Sequence, residues 1–194
     1  MLNLPLAQAQ TCLHTKLSTQ YNFETKIKWF RHPDSRDTAL ISVRIIDKAN
    51  KKERHKIQLQ AGYLLSADFS DCKSDRSYTT NWKTKGQIVD NEFGDLVVAD
   101  LNFDSLEDLA IKCESGGNGG AEYAYYIQDK KGHFYRDSFL TYEMGYFPHI
   151  INKKKRNLVT YVHANARQFG VHTYHLSAKT NKWKQVSHRF EDAR

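Results

Sequence analysis

Residues 95–108 read D-L-V-V-A-D-L-N-F-D-S-L-E-D and continue directly into L-A-I-K. Four of these residues, Asp100, Asn102, Asp104 and Asp108, carry oxygen-bearing side chains, and apolar residues lie between and around them. This is the spacing at which a tight loop wraps a hard cation. The apolar flanks on both sides read as short buried strands, so the stretch predicts a β-hairpin closed by an acidic loop.

The acidic loop has the ligand chemistry of a calcium site. Calcium takes roughly six to eight oxygen ligands, and loop positions one, three, five and nine, with the carbonyl of position seven, supply a compact set. The predicted ligands are the side chains of Asp100, Asn102, Asp104 and Asp108 and the backbone oxygen of Leu106. The alternative is an ordinary acidic turn, in which Asp and Asn side chains bond their own backbone.

Two positions in this stretch depart from common calcium loops. Position six usually holds Gly because the chain turns there with positive φ, and Ser105 at this place costs about 1 kcal/mol. Position twelve is Ile111 rather than a bidentate Glu, so the loop is not an EF-hand. We therefore expect weakened calcium affinity rather than its loss.

Strand signals dominate the rest of the chain. Aromatic-rich or alternating segments predict strands at residues 21–30, 38–46, 55–60, 87–89, 122–128, 133–136, 158–163, 171–176 and 183–187. Only residues 8–17 show a weak helical period. We predict an all-β fold of many short antiparallel hairpins, with a small propeller-like or sandwich architecture and the calcium loop between two strands.

The composition indicates a folded domain without a membrane span. The chain has 194 residues, of which 40% are hydrophobic and only three are Pro. No run of about 18 apolar residues is present. The formal net charge is +7, but the basic residues cluster in or beside predicted turns, as at Lys130 and Lys131. Such clusters are solvated edges unless they converge on one face, so no nucleic-acid partner is predicted.

The first residues of the chain indicate export. Ala7, Gln8 and Ala9 fit the small-x-small rule for signal-peptide cleavage, although a basic start and a longer apolar core are missing. We predict that residues 1–20 are a segment left from an export signal, that residues 21–194 form a single β domain, and that the protein is periplasmic. The alternative is the frayed N-terminus of a cytosolic protein.

Three cysteines are too few for a disulfide scaffold, and no C-x-x-C is present. Cys113 shares a strand face with Leu109 and Ile111, which predicts a buried thiol. In an oxidising compartment the pair left to form a bridge is Cys12 with Cys72. The alternative is that these two stay unpaired.

A glycine-rich stretch, S-G-G-N-G-G, follows the second strand of the acidic hairpin, so the two loops lie at opposite ends of one strand. It is either a flexible hairpin connection or a recognition loop that contacts a partner, with Tyr123 or Tyr125 as a nearby anchor. The predicted partner-binding residues are Ser115, Gly116, Gly117, Asn118, Gly119, Gly120 and Tyr123.

Motifs of common catalytic sites are missing from the sequence. There is no G-x-S-x-G, no H-E-x-x-H and no phosphate-binding glycine loop followed by Lys. The histidines read as surface or turn residues, because His172 and His175 are three apart and face opposite sides of a strand. We therefore predict a binding protein rather than an enzyme, and a glycan-active enzyme is the weaker alternative.

Residues 95–128 resemble the calcium hairpin of FG-GAP-type proteins, in which a D-x-N-x-D-G-x-x-D loop is followed by a G-G-N-G-G-x-x-Y-like turn. More specifically, the chain resembles small exported bacterial β-proteins that inhibit lysozyme-like enzymes. These include immunity proteins against peptidoglycan-hydrolysing effectors of secretion systems, and they are similar to periplasmic inhibitors of invertebrate-type lysozyme. The resemblance is good over residues 86–128 and looser over 142–144 and 158–187.

The resemblance implies a function as well as a fold. It implies Ca²⁺ in the acidic loop and a glycine-rich loop that faces a lysozyme-like peptidoglycan hydrolase. The predicted function is a calcium-stabilised binding protein that inhibits this hydrolase and gives immunity to a secreted antibacterial effector. The alternative is an exported calcium-binding module that recognises a surface or cell wall without inhibiting an enzyme.

Overall fold

The computed structural model describes residues 10–30 and 38–192, which form thirteen β-strands in three sheets. The first sheet is an antiparallel meander in chain order: β1 (Thr11–His14), β2 (Tyr21–Phe30), β3 (Thr38–Asp47) and β4 (Glu53–Ala61). The middle sheet has the order β5 (Asp75–Ser77), β6 (Leu96–Ala99), β7 (Asp108–Glu114), β8 (Glu122–Gln128) and β9 (Phe134–Arg136). The third sheet is a second meander of β10 (Ile150–Asn152), β11 (Asn157–Asn165), β12 (Gln168–Leu176) and β13 (Trp183–Asp192).

The first sheet follows from residue alternation. On β3 the side chains of Ala39, Ile41, Val43 and Ile45 are fully buried, while the residues between them face the solvent side. Successive side chains of a strand point to opposite faces, so one face joins the core and the other stays polar. The predicted strands at residues 21–30, 38–46 and 55–60 are confirmed, and β2 pairs with β3 and β3 with β4 in antiparallel register.

The middle sheet is buried on both faces. Leu96 and Val98 of β6 belong to a core cluster with the first sheet, whereas Val97 and Ala99 belong to a second cluster with the third sheet. A sheet covered on both sides reads as a continuous apolar run rather than an alternating one, which explains the L-V-V-A sequence of β6. The three sheets are therefore layered, with the middle one packed between the other two.

The predicted all-β fold of short antiparallel hairpins is confirmed. Only the β5–β6 pair is parallel among the described strand pairs. The layering is sandwich-like, and the sheets formed by the described strands are open, with no closed barrel or propeller among them.

Some local predictions are wrong. The weak helical period at residues 8–17 gives no helix over its described part, because Cys12 and His14 alternate inward and β1 pairs with β2. Residues 87–89 form no strand. The three-residue strands β5 and β10 were not predicted, since three residues are too few to show a period.

A one-turn π-helix, Phe139–Met144, precedes the third sheet. Gly145 donates its backbone N–H to the carbonyl of Leu140 at 3.0 Å, the five-residue spacing of a π-turn. Leu140 and Met144 enter the second core cluster, and Tyr142 stays exposed. Across the described part of the chain, no helix has the length and apolar character needed to cross a membrane.

The predicted pairing of Cys12 with Cys72 is confirmed by a disulfide that joins β1 to the loop before β5. Residues 11–17 of the predicted N-terminal segment thus belong to the β domain, and Leu17 is fully buried in its core. Ala7, Gln8 and Ala9, which carry the predicted export signal, lie outside the described residues. Cys113 is a free thiol packed against the first core cluster, and burial raises its pKa to about 11.

Candidate functional site

The acidic loop between β6 and β7 folds into nested turns. Asp100 accepts the backbone N–H groups of Asp104 at 2.9 Å and Ser105 at 3.1 Å. Asp104 in turn accepts the N–H of Leu106 at 2.8 Å. Ser105 has a φ of 72°, so the expected positive φ at position six is confirmed for a residue other than Gly.

Asp108 fastens this loop to the middle sheet. Its buried carboxylate accepts the backbone N–H groups of Leu101 at 2.8 Å, Asn102 at 3.3 Å and Gln128 at 2.9 Å. Burial raises the pKa of Asp108 to about 8, and the three hydrogen bonds oppose that rise. The side chain therefore anchors the loop at β7 and β8, and a cation beside it would relieve the cost of its burial.

Basic side chains from the turn between β10 and β11 lie on the acidic loop. Lys153 places its Nζ 3.0 Å from Asp100 Oδ2 and 2.8 Å from Ser105 Oγ. Arg156 donates to the carbonyl of Asn102 at 3.3 Å. The basic cluster at residues 153–156 is therefore partly tied to the acidic loop.

The loop fits calcium in chemistry, although its present contacts are those of a closed turn. Asp100, Asn102, Asp104 and Asp108 offer hard oxygen donors on one short loop, as calcium requires. Among the described residues, no three His, Cys, Asp or Glu side chains are grouped closely enough to hold a metal ion. Binding therefore requires Lys153 to leave Asp100 and the donors to draw together.

The predicted partner-binding loop is only partly exposed, since Ser115, Gly116 and Gly119 are half-buried. Gly120 is buried with a φ of 86°, and a Cβ there would collide with the backbone of Asp90. Asn91 donates to the carbonyl of Gly119 at 2.6 Å. The exposed part is the two-residue tip, Gly117 and Asn118.

Tyr123 lies in the core, and its predicted role as a partner anchor is corrected by this position. The side chain is fully buried, and its hydroxyl accepts the backbone N–H of Phe93 at 3.1 Å. The ring packs against Phe147 and Tyr125. Both faces of β8 are covered by other sheets, so neither Tyr123 nor Tyr125 reaches the surface.

A buried lysine fixes the root of the glycine-rich loop. Lys112 is 1% exposed, and its Nζ lies 2.8 Å from Asp68, 2.7 Å from Glu92 and 3.0 Å from Asp95. Burial alone would lower the pKa of Lys112, but the charges of Asp95 and Glu92 and hydrogen bonds to Asp68 and Glu92 raise it above its ordinary value. The ammonium is therefore a fixed structural charge.

The same carboxylates hold the backbone around the loop. Asp68 accepts hydrogen bonds from the hydroxyl of Ser115 and from the backbone N–H of Leu65, and Asp95 accepts the N–H of Phe69 at 2.8 Å. Ser115 also donates its backbone N–H to Tyr63 at 2.8 Å. The glycine-rich loop thus leaves the middle sheet from a rigid base, and its tip is its most exposed part.

The tip borders a groove that sequence reasoning missed. Gly117 and Asn118 line a depression of about 400 Å³ with residues 163, 165 and 166, and a second depression of about 400 Å³ lies beside it. The two share Asp90 and His163, so we treat them as one feature. We define the tip groove by Gly117, Asn118, Asp90, His149, Tyr161, His163 and Phe169.

Aromatic and imidazole rings form much of the tip groove. His163 lies 3.5 Å from Asp90 Oδ1, and its ring centroid lies 4.1 Å from that of Phe169. The ring of His149 makes an edge contact at 5.3 Å with Tyr161, and burial lowers its pKa. These residues come from the loop before β6 and from the third sheet, and the only sequence signal near them was the glycine-rich tip.

Comparisons with known proteins bear on the fold alone. No protein-family model matches the sequence, and no curated protein matches it. A solved structure described as a Xanthomonas type IV secretion system related protein is similar, with a TM-score of 0.55 and 15% sequence identity. The match covers 94% of this chain and 87% of that chain, so the layered β architecture is shared almost from end to end.

Proposed function

We propose that this protein is a binding protein that inhibits a lysozyme-like peptidoglycan hydrolase and thereby gives immunity to a secreted antibacterial effector. The observation that carries the proposal is the exposed Gly117–Asn118 tip on a base fixed by Lys112. An inhibitor needs no chemistry of its own, only a rigid projection that occupies a substrate cleft. Preorganisation of this kind lowers the entropy cost of binding.

Two further observations support the proposal. The similar Xanthomonas protein is described as related to a type IV secretion system, which is the setting in which such an immunity protein would act. The Cys12–Cys72 disulfide supports an exported, periplasmic protein, because disulfides persist in oxidising compartments.

We expect the unaltered protein to slow lysis of peptidoglycan by at least one lysozyme-type muramidase, in a turbidity assay over a panel that includes any muramidase found to be encoded beside its gene. Gly117→Arg should weaken this inhibition by at least about tenfold, since the tip is the contact surface. The Cβ of Gly117 has nothing within 4 Å, so the variant should fold. A protein that inhibits none of the muramidases overturns the proposal.

Ala178→Arg is the matched control for the tip variant. Ala178 is also exposed, but it lies in the turn between β12 and β13. The control should inhibit like the unaltered protein, and both variants should keep its melting temperature. If Gly117→Arg inhibits as well as Ala178→Arg, the tip is not the contact surface.

An aromatic-lined groove also favours a second candidate, recognition of the cell wall itself. Tyr161 and Phe169 line this groove as half-buried aromatic side chains, which would offer apolar contact area to a sugar ring. Sedimentation with isolated peptidoglycan separates the two functions. Retention on peptidoglycan without inhibition of any muramidase favours recognition.

Calcium is proposed as the stabilising ion of the acidic loop. With calcium at about 100 times its dissociation constant, the stabilisation is about 2.7 kcal/mol, which raises the melting temperature by about 5–10 °C. Asp104→Ala should abolish the shift, and Lys153→Met should enlarge it because the competing ammonium is gone. Magnesium serves as the control ion. If calcium leaves the melting temperature unchanged, the loop is only an acidic turn.

A further inference from the structure

The solvent face of the first sheet carries an unexpected concentration of positive charge. Strand alternation turns the apolar residues of β2, β3 and β4 inward and their polar residues outward. The outward side chains line a depression of about 370 Å³. We define the basic face by six of them: Lys26, Lys28, Ser42, Arg44, Lys56 and Gln58.

Three ammonium groups of the basic face have no carboxylate partner within residues 10–30 and 38–192, and that of Lys28 lies 5.3 Å from the ring centroid of Phe30. Arg44 is held between Glu24 at 2.7 Å and Glu53 at 2.6 Å. Within the described residues, no carboxylate lies at ion-pair distance from Lys26, Lys28 or Lys56. These lysines therefore present unneutralised charge on one side of the molecule.

The pairing register places like charges side by side. Arg44 is the direct cross-strand partner of Lys56, and Lys26 and Lys28 are neighbours on the same face of β2. Like charges directly opposite one another are destabilising in a sheet. Glu24 and Glu53 offset the charge of Arg44, whereas a bound anion would offset the charges that remain on the three lysines.

The floor of the basic face suits an oxygen-rich headgroup. Ser42 is the cross-strand partner of both Lys26 and Gln58, and Gln58 donates to the Ser42 hydroxyl at 3.3 Å. A hydroxyl and an amide thus lie between the lysines, so a ligand meets hydrogen-bond groups below and ammonium groups around it. Phosphate oxygens accept from both kinds of donor.

An exposed aliphatic side chain lies on the same side of the sheet. Leu13 is 59% exposed and is the cross-strand partner of Glu24, so it shares the outward face. A lipid surface can bind both the lysines and Leu13. Its anionic headgroups attract lysines, and its interface accepts an aliphatic side chain. An acidic protein surface would match the charge alone.

We propose that the basic face docks the protein on a membrane surface by binding the phosphate headgroups of anionic phospholipids. Each lysine near an anionic surface strengthens binding about fivefold. The three unpaired lysines together should contribute about 100-fold, and the interaction should weaken as salt screens the charges. The basic face lies on the first sheet, away from the tip groove, so the site is independent of the proposed inhibition.

The test is sedimentation of the full chain with vesicles. We expect binding to phosphatidylcholine vesicles that contain about one-third phosphatidylglycerol, and little binding to pure phosphatidylcholine. The triple variant Lys26→Gln, Lys28→Gln, Lys56→Gln should lose about 100-fold in partitioning. Its melting temperature should stay close to that of the unaltered protein, because all three side chains are exposed.

A second triple variant controls for net charge. Lys130→Gln, Lys131→Gln and Lys182→Gln remove the same charge from exposed turns and should leave partitioning nearly unchanged. An equal loss in both triple variants overturns the proposal, as does equal binding to neutral and anionic vesicles. Binding to inorganic pyrophosphate without binding to anionic vesicles also overturns it, since the phosphate source would then be a soluble compound.

Discussion

Lys112→Met should lower the free energy of unfolding at pH 7 by about 3–5 kcal/mol. The substitution keeps a similar length of aliphatic chain but removes the only ammonium among three carboxylates, Asp68, Glu92 and Asp95. Glu92 is half-exposed and can turn to solvent, whereas Asp68 and Asp95 are buried. Two uncompensated buried charges are then left in the loops that support the glycine-rich tip. Chemical denaturation measures the loss.

The same variant should recover part of its stability when the pH falls from 7 to 5. Burial already raises the pKa of Asp95 to about 6, with the charge and hydrogen bond of Lys112 opposing that rise. Without Lys112 the folded Asp95 carboxyl holds its proton at higher pH than the unfolded one. A carboxyl whose folded pKa is raised favours the folded state at low pH, and that contribution fades as the pH rises through the folded pKa.

A matched control and a double variant make the result specific. Lys130→Met removes an exposed lysine and should change stability by less than about 0.5 kcal/mol. Adding Asp95→Asn to Lys112→Met should restore part of the loss, because one buried charge disappears with its partner. If Lys112→Met costs less than about 1 kcal/mol, or costs the same at pH 5 and pH 7, the buried charge cluster does not stabilise the loop base.

Local alternation explains why much of the first sheet is predictable. In β3 burial alternates from Thr38 to Ile45, although Leu40 on the outer face is apolar, so one face of the strand is covered while the other is open. The acidic hairpin was predictable for a different reason, because Asp and Asn spacing fixes a tight turn. The positive φ of Ser105 shows that the turn forms as its spacing indicates, even without Gly.

Alternation does not predict the burial of the middle sheet, because other sheets cover both of its faces. Tyr123 stands in an alternating tyrosine run, and an alternating run normally has one exposed face. Here the third sheet covers the face that would otherwise be exposed. The residue types of this run give no sign of that cover. Lys112 is misleading in the same way, because a lysine in a strand is normally predicted to be exposed. Its burial depends on Asp68 and Asp95, which lie in loops distant in sequence.

The tip groove could not be predicted for a geometric reason. Asp90 and His163 belong to segments that meet only after the third sheet packs beside the middle one. Neither segment carries a motif, and a histidine in a strand gives no sign of what faces it. The glycine-rich stretch was visible because glycines are a local signal, but only Gly117 and Asn118 of it remain exposed.

Replacing Cys12 and Cys72 with Ser should lower the free energy of unfolding by about 4 kcal/mol. The bridge closes a loop of 60 residues, and a cross-link of that span removes a large share of the conformational freedom of the unfolded chain. For a chain of this size the expected fall in melting temperature is about 10 °C. Thermal unfolding of the oxidised unaltered protein and the double variant measures it.

Loss of the disulfide should destabilise β1 more than the rest of the domain. This edge strand has four residues, and beyond β2 its main ties are the disulfide and the contact of His14 with Asp75 at 2.9 Å. Hydrogen exchange at residues 11–14 should therefore accelerate more in the double variant than exchange in β7. Short edge segments open at low free energy once such a link is cut.

Cys113→Ser separates loss of the bridge from loss of a thiol. Cys113 is the unpaired cysteine and packs on the first core cluster, so its replacement should cost about 1 kcal/mol or less and leave exchange in β1 unchanged. A reductant should shift the melting temperature of Cys113→Ser as it shifts that of the unaltered protein, and should have no effect on the double variant. If a reductant leaves the unaltered protein unchanged, the bridge does not hold β1. The fold would then rely on pairing with β2 and on the His14–Asp75 contact, and the disulfide would no longer support export.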